Sequence, residues 1–182
     1  YQGRGVVGFD LAGAELGHPP SQHARALRLV RDAGLAITLH AAEADGAERV
    51  LEAADHGATR IGHATRLFED PSLTAEVNDA RIALEICLTS NVQTHAAHSY
   101  ETHPLRHYFD QGLNVVLNTD NRLMSGTNLV DEYQHAAGSL GFDFDELATM
   151  ALNGFASAFL PDAERDALLQ RARAEIEVLR HG

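Results

Sequence analysis

"ITLHAAEADG", residues 37–46, starts as a buried strand and then changes character. Ile37, Thr38 and Leu39 lead straight into the imidazole of His40, and the carboxylate of Glu43 follows three residues later. An apolar strand that ends on ligand-type side chains reads as one βα unit whose carboxyl end faces a site. The same event recurs on both sides of it. Strand-length apolar runs lie at "GVVGFDLA" (5–12), "LAITLH" (35–40), "TRIGH" (59–63), "IALEIC" (82–87) and "LNVVLNT" (113–119). They are rich in Val, Ile and Leu and read as parallel strands apolar on both faces.

Helical patterns with legible ends separate these runs. "SQHARALRLVRDAG" offers Ser21 as N-cap and Gly34 as a stop. "DGAERVLEAADHG" predicts a helix over about 45–57, and "DPSLTAEVNDA" starts on Asp70 with Pro71 at the first helical position. "HPLRHYFDQG" ends at Gly112, with His103–Pro104 as a helix start, and the chain beyond 121 reads as helix. The repeat of strand and helix every 25 to 30 residues is a βαβ spacing.

Every strand end carries polar residues: Asp10, Gly13 and Glu15; His40 and Glu43; His63; Thr89, Ser90 and Asn91; Asp120 and Asn121. In a (β/α)₈ barrel the catalytic residues come from that face. Any one of these could be an ordinary cap in a βα loop; five in succession are harder to dismiss. Yet a barrel needs eight strands and about 250 residues. An open doubly wound α/β sheet is the alternative. The chain begins "YQGRGVVGFD", with neither an initiator Met nor a signal-peptide pattern, just before a strand. That favours a partial (β/α)₈ barrel, with residues 1–182 as the carboxyl-terminal part of one domain.

Composition narrows the partners. The 182 residues carry a net charge of -12, which phosphate backbones and anionic lipid would repel. Nucleic acid and membranes are therefore poor partners, and a small neutral or cationic molecule fits better. A single cysteine, Cys87, rules out an internal disulfide and points to a reducing, cytoplasmic setting. It reads as buried packing, because no base is evident beside it. No apolar run approaches the roughly 18 residues of a membrane span. There is no phosphate-loop Lys-Ser/Thr and no P-C-x-x-C of the cytidine deaminases.

Taken in order, "VVGFDLAGAE" (6–15), "LHAAE" (39–43), "RIGHATRL" (60–67), "EICLTSNVQT" (85–94), "HPLRHYFDQGLNVVLNTDN" (103–121) and "SGTNLVDEY" resemble the adenosine deaminase family of zinc-dependent purine deaminases. The resemblance runs from about Gly5 through Glu132, and its segments look like the fourth to eighth strands of that family's barrel. It implies hydrolytic deamination of adenosine or deoxyadenosine to inosine and ammonia by a zinc-activated water, a step of purine salvage. It makes His40 and Asp120 zinc ligands and Glu43 the acid that protonates purine N1. His63 becomes the base that orients or deprotonates the water, from which Asp120 also accepts. Gly13 becomes a backbone donor to N3. Asn121 stands where many members have Asp, and its amide can donate to N7 without any shift in pKa.

The family's H-x-H pair of zinc ligands occurs nowhere in the sequence; His95 and His98, in "HAAH", read as loop. Two ligands make a poor catalytic zinc site, which usually has three from protein. The chain is thus expected to need an amino-terminal part of the barrel. The competing readings are a deaminase of another 6-aminopurine derivative, and a purine-binding remnant without catalysis.

Overall fold

The computed structural model describes residues 3–181. Five strands, β1 (Gly8–Leu11), β2 (Ala36–Ala41), β3 (Arg60–His63), β4 (Ala83–Ile86) and β5 (Asn114–Leu117), coincide with the five apolar runs. They form one sheet in chain order, and every pairing is parallel. Helices α1 (Ala24–Asp32), α2 (Glu48–Asp55), α3 (Pro71–Asp79), α4 (Leu88–Gln93) and α5 (Leu105–Asp110) lie in the crossovers. After β5 come α6 (Arg122–Ser125), α7 (Leu129–Leu140), α8 (Phe144–Ala156) and α9 (Asp162–His181). A doubly wound sheet reverses its strand order at a switch point. This sheet does not, so it is five adjacent strands of a (β/α)₈ barrel and not an open doubly wound sheet.

One face of the sheet holds the fold together. Ile37, Leu39, Ile61, Leu84, Ile86, Val115 and Leu117 pack against Leu27 of α1, Val50 of α2, Val77 of α3 and Leu105 and Tyr108 of α5. Fully burying such a side chain stabilises by about 1.5–3 kcal/mol. The other face differs from the sequence expectation, because the strands are not apolar on both sides. Arg60 pairs with Glu85 at 2.9 Å, and Thr38 Oγ1 donates to Glu85 Oε2 at 2.6 Å. These half-buried charges are tolerated there because the guanidinium and the carboxylate face each other.

Two helix starts also differ. Ser21 caps nothing: a 3-10 turn over Pro20–His23 precedes α1, and the Ser21 N–H donates to Glu52 Oε1 of α2 at 3.0 Å. The second helix begins at Glu48, because the Asp45 carboxylate turns to the Gly46 N–H and to Arg49. Gly34, at φ 71°, does stop α1, and Asp70 does cap α3 through the Ser72 and Leu73 N–H groups. Among the described residues no helix is long and apolar enough to cross a membrane.

Candidate active site

His40 is the penultimate residue of β2 and pairs in register with Gly62 of β3. A Cβ at position 62 would sit 2.7 Å from His40 Cδ2 and 3.3 Å from Nε2. The bare backbone of Gly62 is therefore what gives the imidazole its seat over β3.

His63 reaches the same place by breaking the rule of alternation. In register it pairs with Ala41, which would put it on the helix side of the sheet with Ile61. Its φ is 71°, and Ala64 follows at 49°, so the strand ends in a left-handed turn. The His63 ring then meets the His40 ring edge-on, with centroids 4.5 Å apart. Tyr108 of α5 fastens this turn: its hydroxyl donates to Ala64 O at 2.8 Å and accepts from the Phe68 N–H at 2.9 Å. Left-handed non-glycine residues cost about 1–3 kcal/mol each and collect at functional sites. Ala42 (58°) and Asp120 (53°), just past β2 and β5, are two more.

Glu43 lies on the loop beyond Ala42, and its backbone is anchored from the loop that follows β1. The Glu15 carboxylate accepts from the N–H groups of Glu43, Ala44 and Asp45, each at 3.0 Å to Oε2. The Glu43 side chain is oriented from the far side of the sheet. Its Oε1 accepts from Asn91 Nδ2 at 3.2 Å and from Thr94 Oγ1 at 2.9 Å. Its Oε2 lies 3.8 Å from His63 Nε2. His40, Glu43 and His63 each place a potential ligand atom within 4.8 Å of the others.

His63 is 2% exposed, and burial pushes its imidazole below the ordinary histidine value, with the Glu43 carboxylate opposing. Asp120 also acts on it through space. Asp120 itself stands outside the His40–Glu43–His63 group and accepts at Oδ2 from Ser90 Oγ, 2.7 Å away. Asn121 is the N-cap of α6, where its Oδ1 accepts from the Met124 N–H at 3.1 Å. Gly13, at φ 121°, lines a cleft with Leu11, Glu15, His18 and His40, and a Cβ there would meet nothing within 4 Å. The open backbone at Gly13 and the ring of His40 thus border one space. His95 and His98 are exposed loop residues outside the group of three.

The sequence profile of the adenosine deaminase family matches residues 1–175. The chain belongs to the adenosine deaminase family. It is 43% identical over 168 residues to an adenosine deaminase from Vibrio cholerae serotype O1, covering 92% of this chain and 50% of that protein. Among solved structures, an adenine deaminase from Arthrobacter aurescens superposes with a TM-score of 0.89 at 32% identity, covering 94% of this chain and 53% of the other. The N6-methyl-AMP deaminase from Arabidopsis thaliana superposes with a TM-score of 0.82 at 30% identity, covering 96% and 50%. The chain spans about half the length of the curated relatives it matches.

For a member of the adenosine deaminase family, the residues that the sequence left in the background are instructive. Asn91 and His103, 0% and 3% exposed, stand directly behind His63 and Glu43. His103 immediately precedes Pro104, the N-cap of α5. The available signal was a histidine set immediately before a proline that already starts the helix, and a "TSN" tripeptide at a strand end. Cys87 is buried, and burial raises its thiol well above the ordinary value, as inert packing requires.

Proposed function

We propose that the chain carries the acid side of a purine deaminase site, hydrolysing the 6-amino group of adenosine or deoxyadenosine to give inosine and ammonia. The observation that supports it most is the state of Glu43. Two donors occupy Oε1, so a proton on this carboxyl group belongs on Oε2, on the side of His63. A carboxylic acid held this way can deliver that proton to purine N1, which lets C6 accept water.

The donor chemistry suits zinc: an imidazole and a carboxylate, His40 at the carboxyl end of β2 and Asp120 beyond that of β5. When bound, zinc would supply hydroxide at neutral pH by lowering the pKa of water to about 7. His40 would hold the ion with its ring seated on Gly62. Asp120 would hold it and accept a proton from the attacking water, while Ser90 fixes its carboxylate. His63 would orient that water. Gly13 N–H would donate to N3, and Asn121 to N7: the cap engages its Oδ1 and leaves the NH₂ as the donor. The remaining ligands would come from an amino-terminal part that completes the barrel.

Gly62→Ala in the full-length protein tests the seat of His40. The added methyl must displace the ring, so zinc affinity measured against a competing chelator should fall by about 10- to 100-fold. Unchanged affinity would remove His40 from the ligand set.

Asn121→Ala should weaken deamination of adenosine by about 1–3 kcal/mol in kcat/KM. The lost cap affects every substrate alike. With 7-deazaadenosine, which lacks the N7 acceptor, the additional loss should disappear. Equal losses with both substrates would mean that Asn121 serves only the helix start.

A second reading has its own support, because the structural relatives act on adenine and on N6-methyl-AMP. Turnover of adenosine, adenine and N6-methyl-AMP by the zinc-loaded full-length protein separates the two. Adenosine is expected to have the highest kcat/KM, and preference for either other substrate would replace the nucleoside assignment.

A further inference from the structure

Behind the two groups that face the substrate runs a buried chain of hydrogen bonds with one consistent direction. The Leu105 N–H donates to His103 Nδ1 at 3.1 Å. A backbone amide can only donate, so His103 Nδ1 is an acceptor, and a neutral His103 carries its hydrogen on Nε2. That nitrogen lies 3.2 Å from Asn91 Oδ1, which must accept. Asn91 Oδ1 is thereby fixed as the oxygen, and Nδ2 as the donor at the other end of the amide. Nδ2 sits 3.0 Å from His63 Nδ1 and 3.2 Å from Glu43 Oε1, and it has two hydrogens, one for each. His63 Nδ1 is therefore an acceptor, and its ring hydrogen belongs on Nε2, the nitrogen nearest Glu43 Oε2.

We propose that His103, acting through Asn91, is a positioning residue that sets the tautomer of His63 and the oriented oxygen of Glu43 together. The inference rests on the deaminase reading for its catalytic meaning, but the relay itself is a matter of geometry. Its members are shielded from water, with His63, Asn91 and His103 all at most 3% exposed. Burial, with the nearby His63 adding to it, pushes His103 down to about 3, so His103 enters the relay as a neutral ring. If the Asn91 amide were turned over, His103 would need two acceptor nitrogens facing two donors, and Asn91 would set an oxygen against Glu43. Both contacts would be lost at once, which is why a single backbone N–H at the start of α5 can hold three side chains in one state.

In this arrangement His63 offers the site a hydrogen-bond donor, not a lone pair. The water's proton then falls to Asp120, and His63 stabilises the oxygen that attacks. His103 and Asn91 are buried behind His63 and Glu43, so their effect should appear in kcat.

The test uses zinc-loaded full-length protein with ¹⁵N-labelled histidine. Two-bond ¹H–¹⁵N correlations identify the hydrogen-bearing nitrogen of each ring, with His63 and His103 assigned by substitution. The expected result for the unmodified protein is Nε2–H on both. His103→Phe fills the volume but cannot donate, and Asn91 becomes free to turn. His63 should then show mixed tautomers, with kcat lower by about 10- to 100-fold and KM changed less than about threefold. His103→Gln, whose amide can still donate to Asn91, should restore the single tautomer and most of kcat. Nδ1–H on His63 in the unmodified protein would overturn the proposal without any variant having to fold. So would a His103→Phe protein with an unchanged tautomer and unchanged kcat. A fixed Nε2–H tautomer in a protein that deaminates none of the three purines would sink the functional reading and leave the relay standing.

Discussion

Glu43→Gln should reduce kcat for adenosine by at least about 10²- to 10⁴-fold, the usual worth of a general acid. The substitution is nearly isosteric, and its carbonyl oxygen can still accept from Asn91 and Thr94 at the place of Oε1. The backbone anchor on Glu15 is untouched, because it uses the N–H of residue 43 and not its side chain. What disappears is the proton. An amide at neutral pH has none to give to N1, and without protonation the ring cannot take the electron pair that attack at C6 delivers. The loss can exceed the usual range, since without a proton on N1 the ring resists attack at C6 altogether. Zinc content should be unchanged, because the reading gives Glu43 no ligand role although it stands in the His40–Glu43–His63 group. Metal analysis alongside the loss of adenosine absorbance therefore gives two independent readouts. Near-native turnover would place the acid elsewhere, and loss of metal together with activity would make Glu43 a ligand.

The sequence announced the architecture because strand ends leave a local trace. Val- and Ile-rich runs that stop at His40, His63 and Asp120 are visible without any tertiary knowledge. Those three positions then proved to lie at the carboxyl ends of adjacent or nearby parallel strands. The left-handed turn at His63 has no such trace. Glycine or asparagine would have marked it, and the sequence has histidine followed by alanine, held there by a tyrosine 44 residues away. Arg60 and Glu85 were in view, but their pairing across the sheet face depends on register, and the strands were read as apolar on both sides instead. The relay was hidden for the same reason. His103 and His63 are linked through Asn91, and no periodicity connects a residue before α5 to one at the end of β3. Ser21 misled because a Ser before a helical pattern is a good cap in general. Here two prolines precede it, and the chain makes a 3-10 turn first.

Residues 1–182 expressed alone should show no measurable deamination of adenosine and only weak zinc binding. The expectation has two independent grounds. The first is ligand count: His40 and Asp120 supply two of the three or more protein ligands that a catalytic zinc site usually has. Among the described residues His40, Glu43 and His63 form the group that could hold a metal, and Asn91 already engages two of its members. The second is the state of the sheet. β1 pairs with β2 and β5 with β4, and the sheet order places β1 and β5 at its two margins. The flanks of those margins are apolar and open. Val6 and Val7 before β1 are 42% and 51% exposed, and Leu123, Met124 and Val130 after β5 are 89%, 79% and 65% exposed. Unpaired strand edges beside exposed apolar side chains invite association with other chains. The isolated chain should therefore aggregate or sediment as an oligomer. Adding an amino-terminal half that supplies the first three βα units and their H-x-H should restore zinc binding and turnover together, because one ion would join ligands from both pieces. Restored solubility without turnover would support the sheet argument and refute the shared metal. A soluble monomer of residues 1–182 that held zinc tightly and deaminated adenosine would refute both, and would move the missing ligands to histidines within the chain, with exposed His95 and His98 the first to substitute.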